Sequence, residues 1–169
     1  MNRRSFLQQT AALVGVSTVP SSLVLAASSW TEGTPMPDLA QYGLSGSIPK
    51  LKGKVVYLDF WASWCGPCKS SFPVINEWQQ KLSGKGFTVL GVSVDESEAD
   101  MTGFLAKSAV GFPTVRDAQQ KLVAAANVST MPTSFLIDRK GIIRLVHNGF
   151  HKQDAAVLFG KITALLNES

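Results

Sequence analysis

The 169-residue chain has two cysteines, Cys65 and Cys68, separated by Gly66 and Pro67. Thiols at that spacing can close a disulfide when they fall in the first turn of a helix, so the pair can be oxidised and reduced as a unit. The head of a helix carries unpaired N–H groups and the positive end of the macrodipole, which can lower a thiol pKa from about 8.5 toward about 7. Cys65 is expected there as the nucleophile. Cys68, one turn behind, is the expected buried thiol that resolves a mixed disulfide. Pro67 suits a helix start, where its missing N–H is no loss, and limits how far the pair can separate. A purely stabilising bridge is a poor alternative, because so short a loop removes little entropy from the unfolded chain. Half of a zinc site is another, but no second cysteine pair exists and only His147 and His151 could complete it. No metal is expected, and no cofactor beyond the redox-active disulfide.

A strand must deliver this pair and a helix must follow it. Val55–Trp61 is a nearly continuous apolar and aromatic run, as expected for a strand buried on both faces, with one acid, Asp59, inside it. Cys68, Phe72, Ile75, Trp78 and Leu82 recur at helical spacing, and Gly84 and Gly86 end the pattern. Pro73 is expected to kink this helix. A second buried strand is expected over residues 87–94, a helix over 99–110, an extended piece over 112–116 and a small helix over 122–127. Residues 134–137 and 142–146 read as strands of a hairpin joined by Asp138, Arg139, Lys140 and Gly141. The closing helix, 152–166, carries one apolar stripe that can lie on a sheet. The order predicts a three-layer α/β fold whose central mixed sheet has parallel strands first and an antiparallel edge last.

A chain of this length with 45% hydrophobic residues can bury one good core. The formal charge is +4, and without Arg3 and Arg4 the excess falls to +2, spread singly, so no nucleic-acid surface is expected. Arg3 and Arg4 precede Ser5, Phe6 and Leu7, and no charge follows until Glu32. That organisation is expected to be an export signal over residues 1–27, its paired arginines resembling the twin-arginine motif, with small residues near Ala26 and Ala27 for cleavage. An uncleaved signal would tether the protein to a membrane, although Gly15, Pro20 and the serines make a poor span. No cysteine lies near the cleavage site to accept a lipid. Residues 28–50, rich in proline and glycine, are expected as surface loop with short strands covering an edge, and 51–169 as the folded domain.

The segment Phe60-Trp61-Ala62-Ser63-Trp64-Cys65-Gly66-Pro67-Cys68-Lys69 resembles the active-site segment of the thioredoxin family, and the wider chain resembles its exported TlpA-like and ResA-like branch. Supporting pieces are Pro35-Met36-Pro37-Asp38-Leu39, the approach Leu51-Lys52-Gly53-Lys54-Val55-Val56, and Met131-Pro132-Thr133-Ser134-Phe135-Leu136-Ile137-Asp138 with Gly141 following. The resemblance implies a thioredoxin-like fold with an inserted helix and strand between residues 100 and 128. It implies a cis peptide bond before Pro132, with Met131, Pro132, Trp64, Gly66 and Pro67 bordering the groove for an extended substrate backbone. It also makes Asp59 the buried acid that exchanges a proton with Cys68; desolvation should raise the pKa of a lone buried carboxyl, which suits such a role. Two departures stand out. Ser71 replaces a glutamate of ResA-like proteins, and Gly91 stands where thioredoxin has a lysine facing the acid. Trp61 reads as a core aromatic.

The expected activity is that of an exported, periplasmic thiol-disulfide oxidoreductase that reduces protein disulfides, as in cytochrome c maturation or envelope redox homeostasis. The Gly66-Pro67 dipeptide is that of thioredoxin, whose potential is about −270 mV, which favours a reductant recharged by a membrane thiol donor. A disulfide oxidant or isomerase is the alternative within the same chemistry. A copper chaperone would use Cys65, Cys68 and a histidine as ligands. A peroxide-reducing relative would need Ser or Thr three residues before its cysteine, whereas Ser63 stands two before Cys65.

Overall fold

A computed structural model describes residues 30–168. The expected signal segment, residues 1–27, lies outside them. Five strands form the sheet: β1 (Val55–Trp61), β2 (Phe87–Ser93), β3 (Thr114–Arg116), β4 (Thr133–Ile137) and β5 (Ile143–Asn148). Their spatial order is β3-β2-β1-β4-β5. The β1–β2 and β2–β3 pairs are parallel, and β1–β4 and β4–β5 are antiparallel. The four main helices are α1 (Gly66–Leu82), α2 (Glu98–Leu105), α3 (Lys121–Ala125) and α4 (Asp154–Asn167). Among the described residues, no helix is long and apolar enough to cross a membrane.

Alternation along β1 sends Tyr57, Asp59 and Trp61 to one face and Val56, Leu58 and Phe60 to the other. On the first face Trp78 of α1 meets Tyr57 edge-on at 5.5 Å and is followed by Phe159 of α4 at 6.4 Å. Trp61 packs on Phe72 of α1 and Phe104 of α2, and Phe72 also meets Phe112. Four rings thus form the floor behind the cysteine motif. On the opposite face Trp30 packs edge-on against Phe60 and Phe135. The central strand is buried on both sides, which is why its sequence, Asp59 apart, is apolar rather than alternating.

The N-terminal segment covers both sheet edges. Pro35 bridges Ile142 beside β5, and Ser45 bridges Arg116 of β3, so neither outer strand presents a fully open edge. Glu32 adds a side-chain acceptor for the N–H of Val146. At the base of the sheet Arg139 donates to the carbonyls of Gly53, Lys85 and Leu166, joining the approach to β1, the turn before β2 and the end of α4. The hairpin between β4 and β5 is organised by Asp138, which accepts from the N–H groups of Lys140 and Ile142 and from Arg144.

Helix α1 is continuous through Pro73. Helix α2 stops at Leu105, short of the predicted end at residue 110. Asn76 of α1 explains the difference: its Nδ2 donates to the carbonyl of Ala109 at 3.1 Å and its Oδ1 accepts from the N–H of Gly111 at 2.7 Å. That clamp draws the segment out of helical geometry toward α1.

Candidate active site

Strand β1 ends at Trp61, and the chain turns through Ala62, Ser63 and Trp64 into α1. Cys65 is the N-cap of α1, with extended backbone, and its Sγ accepts from the N–H of Cys68 at 3.1 Å. A sulfur therefore takes the place that a serine or aspartate oxygen usually fills at a helix start. Gly66 and Pro67 open the helix at the surface. Cys65 and Cys68 are joined as a disulfide with their Cα atoms 5.3 Å apart. Cys68 is fully enclosed, Cys65 is 4% exposed, and the indole of Trp64 beside it is 69% exposed. Access to the pair is from the Cys65 side.

The Met131–Pro132 peptide bond is cis. Thr133 Oγ1 donates to the carbonyl of Thr130 and to Asn148 Oδ1, and Gly149 N–H donates to the carbonyl of Pro132, which pins this loop to both arms of the hairpin. Trp64 and Met131 come together at a hollow of about 340 Å³ whose other walls include Val94, Val123 and Val128. Gly66 and Pro67 stand outside its lining, and Pro132 is buried beneath the loop. The walls supplied by Val123 and Val128 belong to the segment around α3, whose contribution to this hollow carried no local sequence signal.

Asp59 is buried and faces Gly91 of β2 on one side and Ser134 of β4 on the other. Ser134 Oγ donates to Asp59 Oδ1 at 2.6 Å, while Oδ2 has no hydrogen-bond partner. Burial pushes the carboxyl up to about 7, with the Ser134 bond pulling the other way. At Gly91 a Cβ would lie 3.1 Å from Thr114 Oγ1 and 3.2 Å from both Phe112 and the indole nitrogen of Trp61. A side chain there would have to push these three neighbours aside, so a lysine facing the acid is disfavoured at this position. Ser71, at the other departure from the ResA-like pattern, is buried and donates back to the carbonyl of Cys68 at 2.9 Å.

Sequence reasoning missed Asp95. This buried carboxylate, just beyond β2, accepts from the N–H and Oγ of Ser63 and from Ser93 Oγ, all within 2.8–3.1 Å. It therefore braces the turn that carries Cys65. The acid directly follows a buried run in the sequence, but nothing local says that it reaches back to residue 63.

The sequence is 31% identical over 154 residues to thiol-disulfide oxidoreductase ResA of Bacillus subtilis (strain 168), covering 87% of this chain and 86% of the relative. The fold matches a thiol:disulfide interchange protein DsbE from Chlorobium tepidum with a TM-score of 0.76 at 41% identity, covering 81% of this chain and 99% of that one. An exposed lipoprotein thioredoxin from Streptococcus pneumoniae strain TIGR4 matches with a TM-score of 0.62 at 32% identity, covering 72% of this chain and 97% of that one. Residues 26–161 match the family described as Redoxin. A bonded cysteine pair at the head of a helix, on a thioredoxin-like sheet and in this company, means that the chain belongs to the Redoxin family and is a thiol-disulfide oxidoreductase.

Proposed function

We propose that the protein is an exported reductant of protein disulfides, with Cys65 as nucleophile, Cys68 as resolving thiol and Asp59 as the acid that holds the proton of Cys68. The observation that carries the reading is the Cys65 sulfur at the N-cap of α1, accepting an amide hydrogen. On reduction the same amide and the helix dipole would stabilise a thiolate there. The Cys65 thiolate attacks a substrate disulfide, forming a mixed disulfide and releasing one substrate thiolate. Cys68 then gives its proton to Asp59 and attacks the Cys65 sulfur. The Cys65–Cys68 bond forms, the mixed bond breaks, and the second substrate thiolate leaves to be protonated. Two electrons pass from the enzyme to the substrate.

Trp64 and Met131 flank the groove in which the substrate's extended backbone would lie, with Gly66 and Pro67 exposed at the helix head outside that hollow and Pro132 buried beneath the loop. The substrates we favour are apocytochrome c or metal-site cysteines of envelope proteins, and a membrane thiol donor would restore the dithiol. The paired arginines followed by an uncharged stretch support export, here to the periplasm, and similarity to an exposed lipoprotein thioredoxin supports export as such. The reduction potential tests the direction of electron flow. A value near that of thioredoxin, about −270 mV, is expected, and one near about −120 mV, typical of a strong oxidant, would overturn the reading. Cys65→Ser should abolish exchange and Cys68→Ser should accumulate mixed disulfides with the native substrate. Recovery of none from a Cys68→Ser strain would remove protein disulfides as the substrate class.

A further inference from the structure

One row of side chains crosses the sheet at the level of the buried acid: Gly91 on β2, Asp59 on β1, Ser134 on β4 and His147 on β5. On the Gly91 side the space over the glycine is taken by Thr114, Phe112 and Trp61, 3.1–3.2 Å from where a Cβ would lie. The other side is polar. Tyr57, two residues before Asp59 on the same face, donates its hydroxyl to Ser134 Oγ at 2.8 Å, and Ser134 donates to Asp59 Oδ1 at 2.6 Å. All three residues are buried.

The direction of this chain follows from what each group can do. The Tyr57 hydroxyl lies within hydrogen-bond distance of Ser134 Oγ, and an unmade bond on a buried hydroxyl is costly, so its hydrogen points at Ser134. Ser134 Oγ is thereby occupied as acceptor and its own hydrogen is committed to Oδ1 of Asp59. Burial first, and then the charge of Asp59, push the Tyr57 phenol up, so it stays protonated and the polarity of the chain is maintained. A proton arriving at Asp59 thus meets one oxygen already engaged and one, Oδ2, that has no partner.

We propose that Ser134, locked by Tyr57, is the positioning residue of the buried acid: it engages Oδ1 of Asp59 and reserves Oδ2 for the proton exchanged with Cys68. This rests on the role given above to Asp59 and deepens it. When Cys68 is the donor, its S–H bond breaks, an O–H bond forms at Oδ2, and the electron pair left on sulfur makes the new S–S bond. Ser134 donates to the carboxylate more strongly than to the carboxylic acid, so it favours release of that proton and keeps the acid near neutrality despite its burial. Besides Tyr57, the titratable groups on this row are, at its outer end, His147 with Asp154 of α4, 3.5 Å apart. Among the described residues no lysine or arginine pairs with Asp59.

The test is a ¹³C NMR titration of the Asp59 carboxyl in the disulfide form, run beside the pH profile of mixed-disulfide resolution. In Ser134→Ala the midpoint should rise by about one pH unit, tenfold in proton affinity. Ser134→Thr, which restores a hydroxyl, should return it to within about 0.3 unit of the parent, and Tyr57→Phe should give a smaller rise than Ser134→Ala. The acidic limb of the resolution profile should move with the titration in each variant. An unchanged midpoint in Ser134→Ala overturns the proposal, as does an equal rise in Ser134→Thr, which would trace the effect to packing. The role of Asp59 is tested separately by Asp59→Asn: a resolution profile identical to the parent removes Asp59 from the mechanism, while a shifted titration would still leave its coupling to Ser134 in place.

Discussion

Asp59→Asn should change the pH dependence of folding stability more than stability at any single pH. In the folded protein the Asp59 carboxyl titrates at about 7 against an ordinary value of 3.8, because burial disfavours its charge. Between those values the folded state holds a proton that the unfolded chain has released. The parent protein should therefore lose stability as pH rises from about 4 to about 7 and level off above, with a total near 4 kcal/mol from about three units at 1.36 kcal/mol each. Asparagine does not titrate, so this slope disappears. Its amide oxygen can still accept from Ser134, but its NH₂ group faces the side where Oδ2 has no partner, an offset of about 1–3 kcal/mol that does not vary with pH. The variant should accordingly be less stable than the parent at pH 4 and more stable at pH 8.5. Guanidinium unfolding of the disulfide form at a series of pH values measures both curves. Parallel curves, differing only by a constant, would refute the assignment of a high-titrating buried carboxyl.

Other substitutions probe the parts that hold the site. Gly91→Ala should destabilise by about 1–3 kcal/mol, since its Cβ would press on Thr114, Phe112 and the Trp61 indole; thermal unfolding checks this. Asp95→Asn removes one of the two oxygens that hold Ser63 and Ser93 and should cost about 1.5–3 kcal/mol, read from denaturant midpoints, with faster alkylation of reduced Cys65 as its turn loosens. Asp138 behaves oppositely to Asp59. Desolvation raises its carboxyl, but hydrogen bonds from Ile142, Arg144 and Lys140 outweigh that and hold it below the usual range. Its stabilisation is present above the ordinary carboxylate value and is lost as pH falls through the lowered one, so Asp138→Asn should destabilise at pH 7 and converge with the parent in acid unfolding.

Much of this protein is readable from periodicity and punctuation. The run over Val55–Trp61, the apolar spacing through α1 and the Asp138–Gly141 turn specify a buried strand, a helix and a hairpin because burial acts on local patterns. The cysteine spacing determines that two sulfurs can bond, and placement after a strand determines that one of them caps a helix. Helix α2 shows the limit: its sequence allows continuation to residue 110, but Asn76, more than thirty residues earlier, binds Ala109 and Gly111 and ends it. The surroundings of the acid lie beyond that limit too. Tyr57, Asp59 and Ser134 become one hydrogen-bonded chain only when β4 lies antiparallel beside β1 in one register, and Asp95 reaches Ser63 only once β2 lies beside β1. A one-residue slip would turn Ser134 to the other face. Local composition therefore determines which elements form and where the sulfurs sit, whereas the pairing of distant strands decides which polar groups meet the buried carboxyl, because hydrogen bonds require contact that no local pattern encodes.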